Sequence, residues 1–183
     1  MIGTLIKPKV RSRVLLVPRA STELDEQNRI CGSLNLPLSD EGVLQATELA
    51  KSLEDAKFGC ILAAAGIADK QTATIIAGKR RVKIRTESSW QNLDHGLWQG
   101  KSIENLKANY NRYYRQWQEN PEAVAPPDGE TTADLVARVK PALLKHLKKR
   151  AGETFVVVAP QPLLGVLKEL AEQAEADVDC CGW

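Results

Sequence analysis

Arg19 is the first candidate for chemistry in this sequence. It follows the apolar run Val14–Val17, which is typical of a buried strand, and the loop after such a strand often carries functional groups in an α/β sheet. A guanidinium is always charged and has no available lone pair, so Arg19 can hold an anion but cannot attack an electrophile or transfer a proton at neutral pH. Two interpretations follow: an anion ligand, or an ion pair with Glu23 or Asp25 that fills the space. We favour the ion pair.

The cysteines are the next reactive residues, and their spacing does not form a recognisable site. They lie at Cys31, Cys60, Cys180 and Cys181, without a CxxC pair, and a disulfide between the last two would close a strained ring. We interpret all four as reduced thiols rather than as metal ligands or a redox pair. No metal and no other cofactor is therefore expected.

Composition limits the function classes. The 183 residues are 43% hydrophobic and 26% charged, which predicts one domain over residues 1–183. The net charge of +2 creates no global field for nucleic acid or anionic lipid. The start has no apolar run typical of a signal peptide, and no later run approaches a membrane span, so a cytoplasmic protein without membrane or nucleic-acid partners is expected. The basic stretch Lys79–Arg85 has no interleaved aromatic residues and indicates a solvated strand edge rather than a nucleic-acid site.

Strands and helices alternate along the chain and position these residues. Strands are predicted over 13–17, 60–64, 82–86 and 154–159, and helices after Ser39, over about 70–77, from Thr131 to about Arg150 and over about 163–174. Ser39 is typical of a helix cap and Thr131 with Asp134 resembles a capping box, whereas Pro141 should kink the helix that contains it. The alternation predicts an α/β fold with a mostly parallel central sheet, and a site at the C-terminal ends of the strands.

Two helices are expected to bury an apolar face, and the C-terminal tail is expected to contact the domain. In the helix after Ser39, the predicted buried face carries Val43, Ala46, Leu49, Ala50 and Leu53; in the helix after Thr131, it carries Leu135, Val139, Leu143 and Leu147. The tail from Val178 to Trp183 either pairs as a short edge strand or docks Trp183 on an apolar surface of its own domain or of a second copy. A frayed end is the alternative.

Six segments together carry a resemblance to a known family. They are RVLLVPRAST, RICGSLNLPLSDEGVLQA, ILAAAGIADKQTATIIA, WQNLDHGLWQG, PPDGETTADLVARV and TFVVVAPQPLLGVL. In this order and spacing they resemble the histidine phosphatase superfamily, also called phosphoglycerate mutase-like, over about residues 13–170. The resemblance implies a three-layer phosphoglycerate mutase-like fold, with a short extension over 1–12 and a short tail over 175–183.

The family's functional positions hold different residues in this chain. The Arg-His-Gly motif, whose histidine attacks phosphorus, falls on Pro18, Arg19 and Ala20, and the second histidine falls on Pro160, which is followed by Gln161. The second phosphate-binding arginine falls on Ala68, and the acid that often donates the proton falls on Asn92. No catalytic residue is therefore expected, and the resemblance leaves a weak anion pocket formed by Arg19, Thr22, Arg29 and Asn92.

The resemblance implies two alternative functions. The first is that the chain is not an enzyme but a pseudophosphatase, which acts as a binding, scaffolding or regulatory protein with an unidentified protein partner; a homodimer is left open. The alternative is an active phosphatase or mutase with a rearranged site, with His95 or a cysteine as its nucleophile. His95 occupies a position that is commonly aromatic in the family, and His146 lies in the basic helix end LKHLKKR. Both therefore indicate structural or solvent-exposed roles, and the segment 110–118 resembles the family's helical insertion over the site.

Overall fold

Five parallel strands form the centre of the molecule. A computed structural model describes residues 11–182. The strands are β1 (Arg13–Pro18), β2 (Cys60–Ala63), β3 (Lys83–Thr86), β4 (Thr154–Ala159) and β5 (Asp177–Cys180). Their order in the sheet is β3-β2-β4-β1-β5, and every neighbouring pair is parallel. The predicted α/β class is confirmed.

Within residues 11–182, seven α-helices and one short 3₁₀ helix connect the strands. They are α1 (Glu23–Glu26), α2 (Asp40–Ser52), α3 (Ile67–Ala77), the 3₁₀ helix Gly96–Trp98, α4 (Ile103–Asn109), α5 (Asn111–Glu119), α6 (Thr132–Lys149) and α7 (Leu163–Gln173). Helices α6 and α7 cover one face of the sheet, where Val14 and Leu16 are buried, and α2 and α3 cover the other, where Leu15 and Val17 are buried. Alternation along β1 thus gives each helical layer its own apolar core, which makes three layers.

Local sequence signals set where the helices begin. The Ser39 hydroxyl accepts a hydrogen bond from the Gly42 N–H at 3.0 Å at the start of α2, and Thr131 forms the predicted capping box with Asp134 at the start of α6. The predicted apolar stripe of α6 is buried. In α2, by contrast, Val43 is 44% exposed, so its assignment to the buried face is wrong.

Pro141 does not interrupt α6, which runs unbroken over residues 132–149. The helix continues through this proline, and the kink stays a prediction. Pro141 cannot donate a hydrogen bond to the carbonyl of Ala137, but both residues are exposed, so water can satisfy that carbonyl. The opposite face of the helix packs into the core through its buried apolar residues.

The tail forms an edge strand. Strand β5 pairs with β1, with Val14 opposite Val178, and Arg13 bonds Asp179 through Nη2 at 2.6 Å and Nε at 2.8 Å. This confirms the edge-strand alternative, while Trp183 and most of the predicted extension over 1–12 lie outside the described residues. Over residues 11–182, no helix is long and apolar enough to cross a membrane.

Candidate functional site

A small cavity lies where β1, β2 and β4 end. Arg19 and Thr22 reach it from beyond β1, residues 65, 66, 68 and 69 from beyond β2, and Pro160 from beyond β4, and residues 31–36 and 91–92 complete the walls. Its volume is about 100 Å³, well below the roughly 300 Å³ at which pockets for whole drug-sized ligands begin. The cavity therefore admits one small group, such as the reacting end of a larger molecule.

Asp25 fixes the guanidinium of Arg19. Arg19 Nη1 donates to Asp25 Oδ2 at 2.8 Å and Nη2 donates to Oδ1 at 3.2 Å, which confirms one of the two predicted pairings. Thr22 holds the carboxylate in turn, because its N–H and its hydroxyl both donate to Asp25 Oδ2, at 2.7 and 2.6 Å. Burial alone would raise the pKa of the Asp25 carboxyl, but the hydrogen bonds from Arg19 and Thr22 outweigh burial and hold the pKa below its usual value.

Arg19 keeps hydrogen-bonding capacity for a ligand. Its side chain is only 9% exposed, and Nη1 uses its second hydrogen on the carbonyl of Ala20 at 3.0 Å. Within residues 11–182, no acceptor is bonded to Nε or to the second hydrogen of Nη2. Because burial opposes the charge less than Asp25 supports it, the pKa of Arg19 is raised, and the guanidinium stays charged beside the cavity.

Asp69 is the acidic group in the cavity wall, and it was not among the site residues predicted from the sequence. It lies in the first turn of α3, where its Oδ2 accepts a hydrogen bond from the Gly66 N–H at 3.0 Å. The residue is 3% exposed, and its Oδ1 is buried without a hydrogen-bond partner in the described chain. Burial raises the pKa of Asp69 to about 6, although the charge of Arg19 and the Gly66 N–H lower it in part. The available signal was an acidic residue at the start of the helix that follows β2.

Asn92 joins two walls of the cavity. Its Nδ2 donates to the carbonyls of Gly32, at 3.1 Å, and Gln161, at 2.8 Å, while its Oδ1 accepts from the Leu163 N–H at 3.3 Å. Gly32 has a φ of +56°, a left-handed backbone conformation that glycine adopts without strain and that favours glycine in this loop. The amide of Asn92 is thus engaged by backbone and shapes the cavity.

Some of the other predicted site residues line the cavity, and one lies outside it. Thr22, Ala68 and Pro160 line the cavity. Arg29 does not: it is exposed and donates from Nη1 to the carbonyl of Gly100 at 2.7 Å, so its inclusion in the anion pocket is wrong. The pairing of Arg29 with Ser102 in an isolated antiparallel bridge holds this part of the chain beside the Gly96–Gly100 segment.

Neither histidine lines the cavity. His95 is buried, with Nδ1 at 3.1 Å from the Leu93 carbonyl and its ring edge-on to Trp117 at 5.6 Å. Burial lowers the pKa of His95. Trp117 belongs to α5, within the predicted helical insertion, and packs with Trp98 in an aromatic cluster. These contacts give His95 a structural role and do not support it as the nucleophile of a rearranged site.

His146 and the cysteines are the other reactive side chains considered from the sequence. His146 Nε2 lies 3.0 Å from Glu87 Oε2, and its Nδ1 lies 2.8 Å from Arg150 Nη1. Cys31 lines the cavity, and burial raises the pKa of its thiol despite the nearby charge of Arg19, so the thiol is protonated at neutral pH. All four cysteines are free, and the described residues contain no group of three or more His, Cys, Asp or Glu arranged to hold a metal ion.

Comparisons with known proteins identify relatives of this chain. Residues 14–177 match the family described as Histidine phosphatase superfamily (branch 1). The chain is 31% identical over 147 residues to Phosphoserine phosphatase 1 of Hydrogenobacter thermophilus, which covers 80% of this chain and 70% of that protein. It is 28% identical over 155 residues to Probable phosphoglycerate mutase GpmB of Enterobacter sp. (strain 638), covering 85% and 72%.

Solved structures share the fold. Mycobacterial glucosyl-3-phosphoglycerate phosphatase superposes with a TM-score of 0.77 at 22% identity, over 84% of this chain and 78% of that one. Phosphoglycerate mutase of Bacillus anthracis str. Sterne superposes with a TM-score of 0.75 at 20% identity, over 90% and 82%. At these identities the likeness establishes the phosphoglycerate mutase-like architecture.

The named relatives contradict the expectation that this chain is not an enzyme. They are called phosphatases and phosphoglycerate mutases, which points to enzymatic activity. The expectation rested on the residues at positions 19, 68, 92 and 160, which lack the family's reactive groups. Folding, however, places the carboxyl of Asp69 in the same cavity as Arg19.

Proposed function

Because the chain belongs to the histidine phosphatase superfamily, branch 1, we propose that it is an enzyme that acts on a phosphate monoester through a rearranged site. The observation that carries the proposal is the cavity at the C-terminal ends of β1, β2 and β4, which holds the buried guanidinium of Arg19 with unused hydrogen-bond donors. Ligands of open α/β sheets bind at this edge. The names of the relatives support a phosphate ester as the substrate class.

Arg19 binds the phosphoryl group in this proposal. Its Nε–H and its second Nη2–H donate to phosphoryl oxygens, while Asp25 and Thr22 hold the plane of the guanidinium, so that little reorganisation is needed when charge develops. Asp25 already forms an ion pair with Arg19. Affinity for a free phosphate dianion is therefore weak, and the remainder of the substrate must contribute to binding.

Water is the proposed nucleophile. The guanidinium at position 19 cannot attack phosphorus, the thiol of Cys31 is protonated at neutral pH, and His95 lies outside the cavity wall. The oxygen of water forms the new bond to phosphorus and the ester P–O bond breaks, which releases an alcohol and inorganic phosphate. The reaction is then a direct hydrolysis without a covalent enzyme intermediate.

The test is turnover of a substrate panel by purified protein. The panel contains p-nitrophenyl phosphate, alkyl phosphates, sugar phosphates and glycerate phosphates, each with and without added divalent metal. We expect release of inorganic phosphate that persists through repurification and falls about 10²-fold in Arg19→Ala. Arg13→Ala is the matched control, since it removes the Arg13–Asp179 pair at the opposite end of β1. Absence of turnover across the panel, or equal activity of Arg19→Ala and the wild type, would refute the proposal.

A further inference from the structure

We infer that Asp69 is the proton donor to the leaving group in this cavity, a role that rests on the proposed hydrolase function. The residue is a carboxyl whose two oxygens have different environments. Oδ2 is fixed by the Gly66 N–H at 3.0 Å, and Oδ1 is buried, lacks any partner among residues 11–182 and belongs to a side chain that lines the cavity with Arg19. The carboxyl of Asp69 and the guanidinium of Arg19 line the same cavity, so a ligand held by Arg19 would lie beside this carboxyl.

The position of Asp69 is rigid. It occupies the third residue of α3, its Oδ2 closes the first turn, and the next turn is fixed by Thr72, whose hydroxyl donates to the Ala68 carbonyl at 2.8 Å. Thr72 Oγ1 also accepts the N–H of Ala20 at 3.2 Å, which ties the start of α3 to the residue that follows Arg19. The carboxyl and the guanidinium are thus held in one framework, as a proton donor and a phosphate ligand must be.

The surroundings keep the acid form of Asp69 accessible near neutral pH. Arg19 beyond β1 and Lys70 on α3 favour its ionisation, Asp25 on α1 opposes it, and the thiol of Cys31 in the cavity wall is protonated. Burial outweighs the two cations and raises the pKa of Asp69 to about 6. A carboxyl in this range can give up a proton in the transition state and regain it between turnovers.

The proposed step is balanced in atoms and charge. Oδ1–H donates its proton to the ester oxygen as the P–O bond breaks, so that the leaving group departs as a neutral alcohol. The attacking water leaves one hydrogen on the phosphate product, and its other proton restores the acid form of Asp69. The carboxyl is unchanged over one turnover.

The experiment compares leaving groups, because a proton donor matters most when the leaving group is a poor one. Wild type, Asp69→Asn and Asp134→Asn are assayed with n-propyl phosphate and with p-nitrophenyl phosphate, whose nitrophenolate departs without a proton. We expect Asp69→Asn to lower kcat/KM for propyl phosphate by about 10²–10⁴-fold and to have at least about tenfold less effect on p-nitrophenyl phosphate. Asp134→Asn is the matched control, since Asp134 also caps a first turn, by accepting from the Thr131 N–H at 3.0 Å, but lies outside the cavity wall.

The pH profile is the second readout. The wild-type rate on propyl phosphate should fall as pH rises through about 6, the pKa of Asp69. The second ionisation of the phosphate ester lies in the same range, so the difference between the pH–rate profiles of wild type and Asp69→Asn gives the fall in rate that is due to the carboxyl. Asp69→Glu, which keeps an acid, should recover part of the activity.

Three outcomes would overturn the inference. Equal losses of activity on both substrates would mean that Asp69 has a structural role. An unchanged rate in Asp69→Asn would mean that Asp69 takes no part in the reaction. In both cases the proposed hydrolase function would stand. An inactive wild type would refute the proposed function, and the inference with it.

Discussion

Replacement of Asp69 by asparagine should stabilise the protein at neutral pH, although it removes a charged residue from a helix cap. The folded state raises the pKa of this carboxyl from 3.8 to about 6, so the folded protein binds the proton more tightly than the unfolded chain. The stability that this group contributes is complete below pH 3.8 and is lost as pH rises through about 6. At pH 8 the ionised carboxylate therefore opposes folding.

The magnitude follows from the two pKa values. A difference of about two pH units, at about 1.4 kcal/mol each, makes the ionised carboxylate cost about 3 kcal/mol at pH 8. Asparagine retains an oxygen for the Gly66 N–H but places an amide N–H₂ where Oδ1 has no partner, at a cost of about 1 kcal/mol. The net gain is about 2 kcal/mol at pH 8, or about 4–8 °C in Tm for a chain of this size, and it shrinks to about zero near pH 4.5.

Urea denaturation at several pH values between 4.5 and 8 measures this effect directly. Asp134→Asn serves as the control with the opposite sign, because hydrogen bonds from Thr131 lower the pKa of Asp134 and its loss should destabilise the protein at pH 8. If Asp69→Asn gains no stability relative to wild type between pH 4.5 and pH 8, Asp69 is not held in the buried, unpaired state described here.

The other predictions concern the ion pair, the histidines and the tail. Asp25→Asn should cost about 1–2 kcal/mol in urea denaturation, because the buried guanidinium of Arg19 loses its carboxylate; a cost no larger than that of an exposed Asp→Asn substitution would contradict this. Burial lowers the pKa of His146 from its ordinary 6.5, so its contribution to stability is complete above pH 6.5 and is lost as pH falls towards the folded-state value. His146→Gln should therefore flatten the pH dependence of stability below pH 6.5, and an unchanged slope would argue against it. Deletion of residues 179–183 should lower the denaturation midpoint, since β5 loses half of its length and Arg13 loses Asp179; sedimentation of the same variant tests whether the tail joins two copies, and an unchanged midpoint and mass would refute a paired strand.

Short-range signals made most of the fold predictable from the sequence. The apolar runs of β1 and β4 are buried on both faces and need no alternation to be recognised. The caps of α2 and α6 depend on residues three positions apart, Ser39 with Gly42 and Thr131 with Asp134. The Arg19–Asp25 pair spans six residues and was also within reach of local reasoning.

Long-range contacts made the rest unpredictable. Arg29 was placed in the pocket by family order, but its partner is the carbonyl of Gly100, 71 residues away. In the sequence, Asp69 is an acid in a helix's first turn; its burial and the charges of Arg19 and Asp25, which lie more than 40 residues away in the chain, shift its pKa only in the folded protein. The function of such a residue depends on what covers it, which the local pattern does not contain.

The position of β4 between β1 and β2 has a consequence for how this protein can diverge. The walls of the cavity follow the strands in the chain, while β1, β2 and β4 are themselves mostly buried apolar segments that contribute no side chain to the cavity. A mutation in one wall therefore leaves the registers of all five strands unchanged and alters one side of the cavity at a time. Reactive groups at the cavity can therefore be replaced one at a time while the sheet that carries them stays folded.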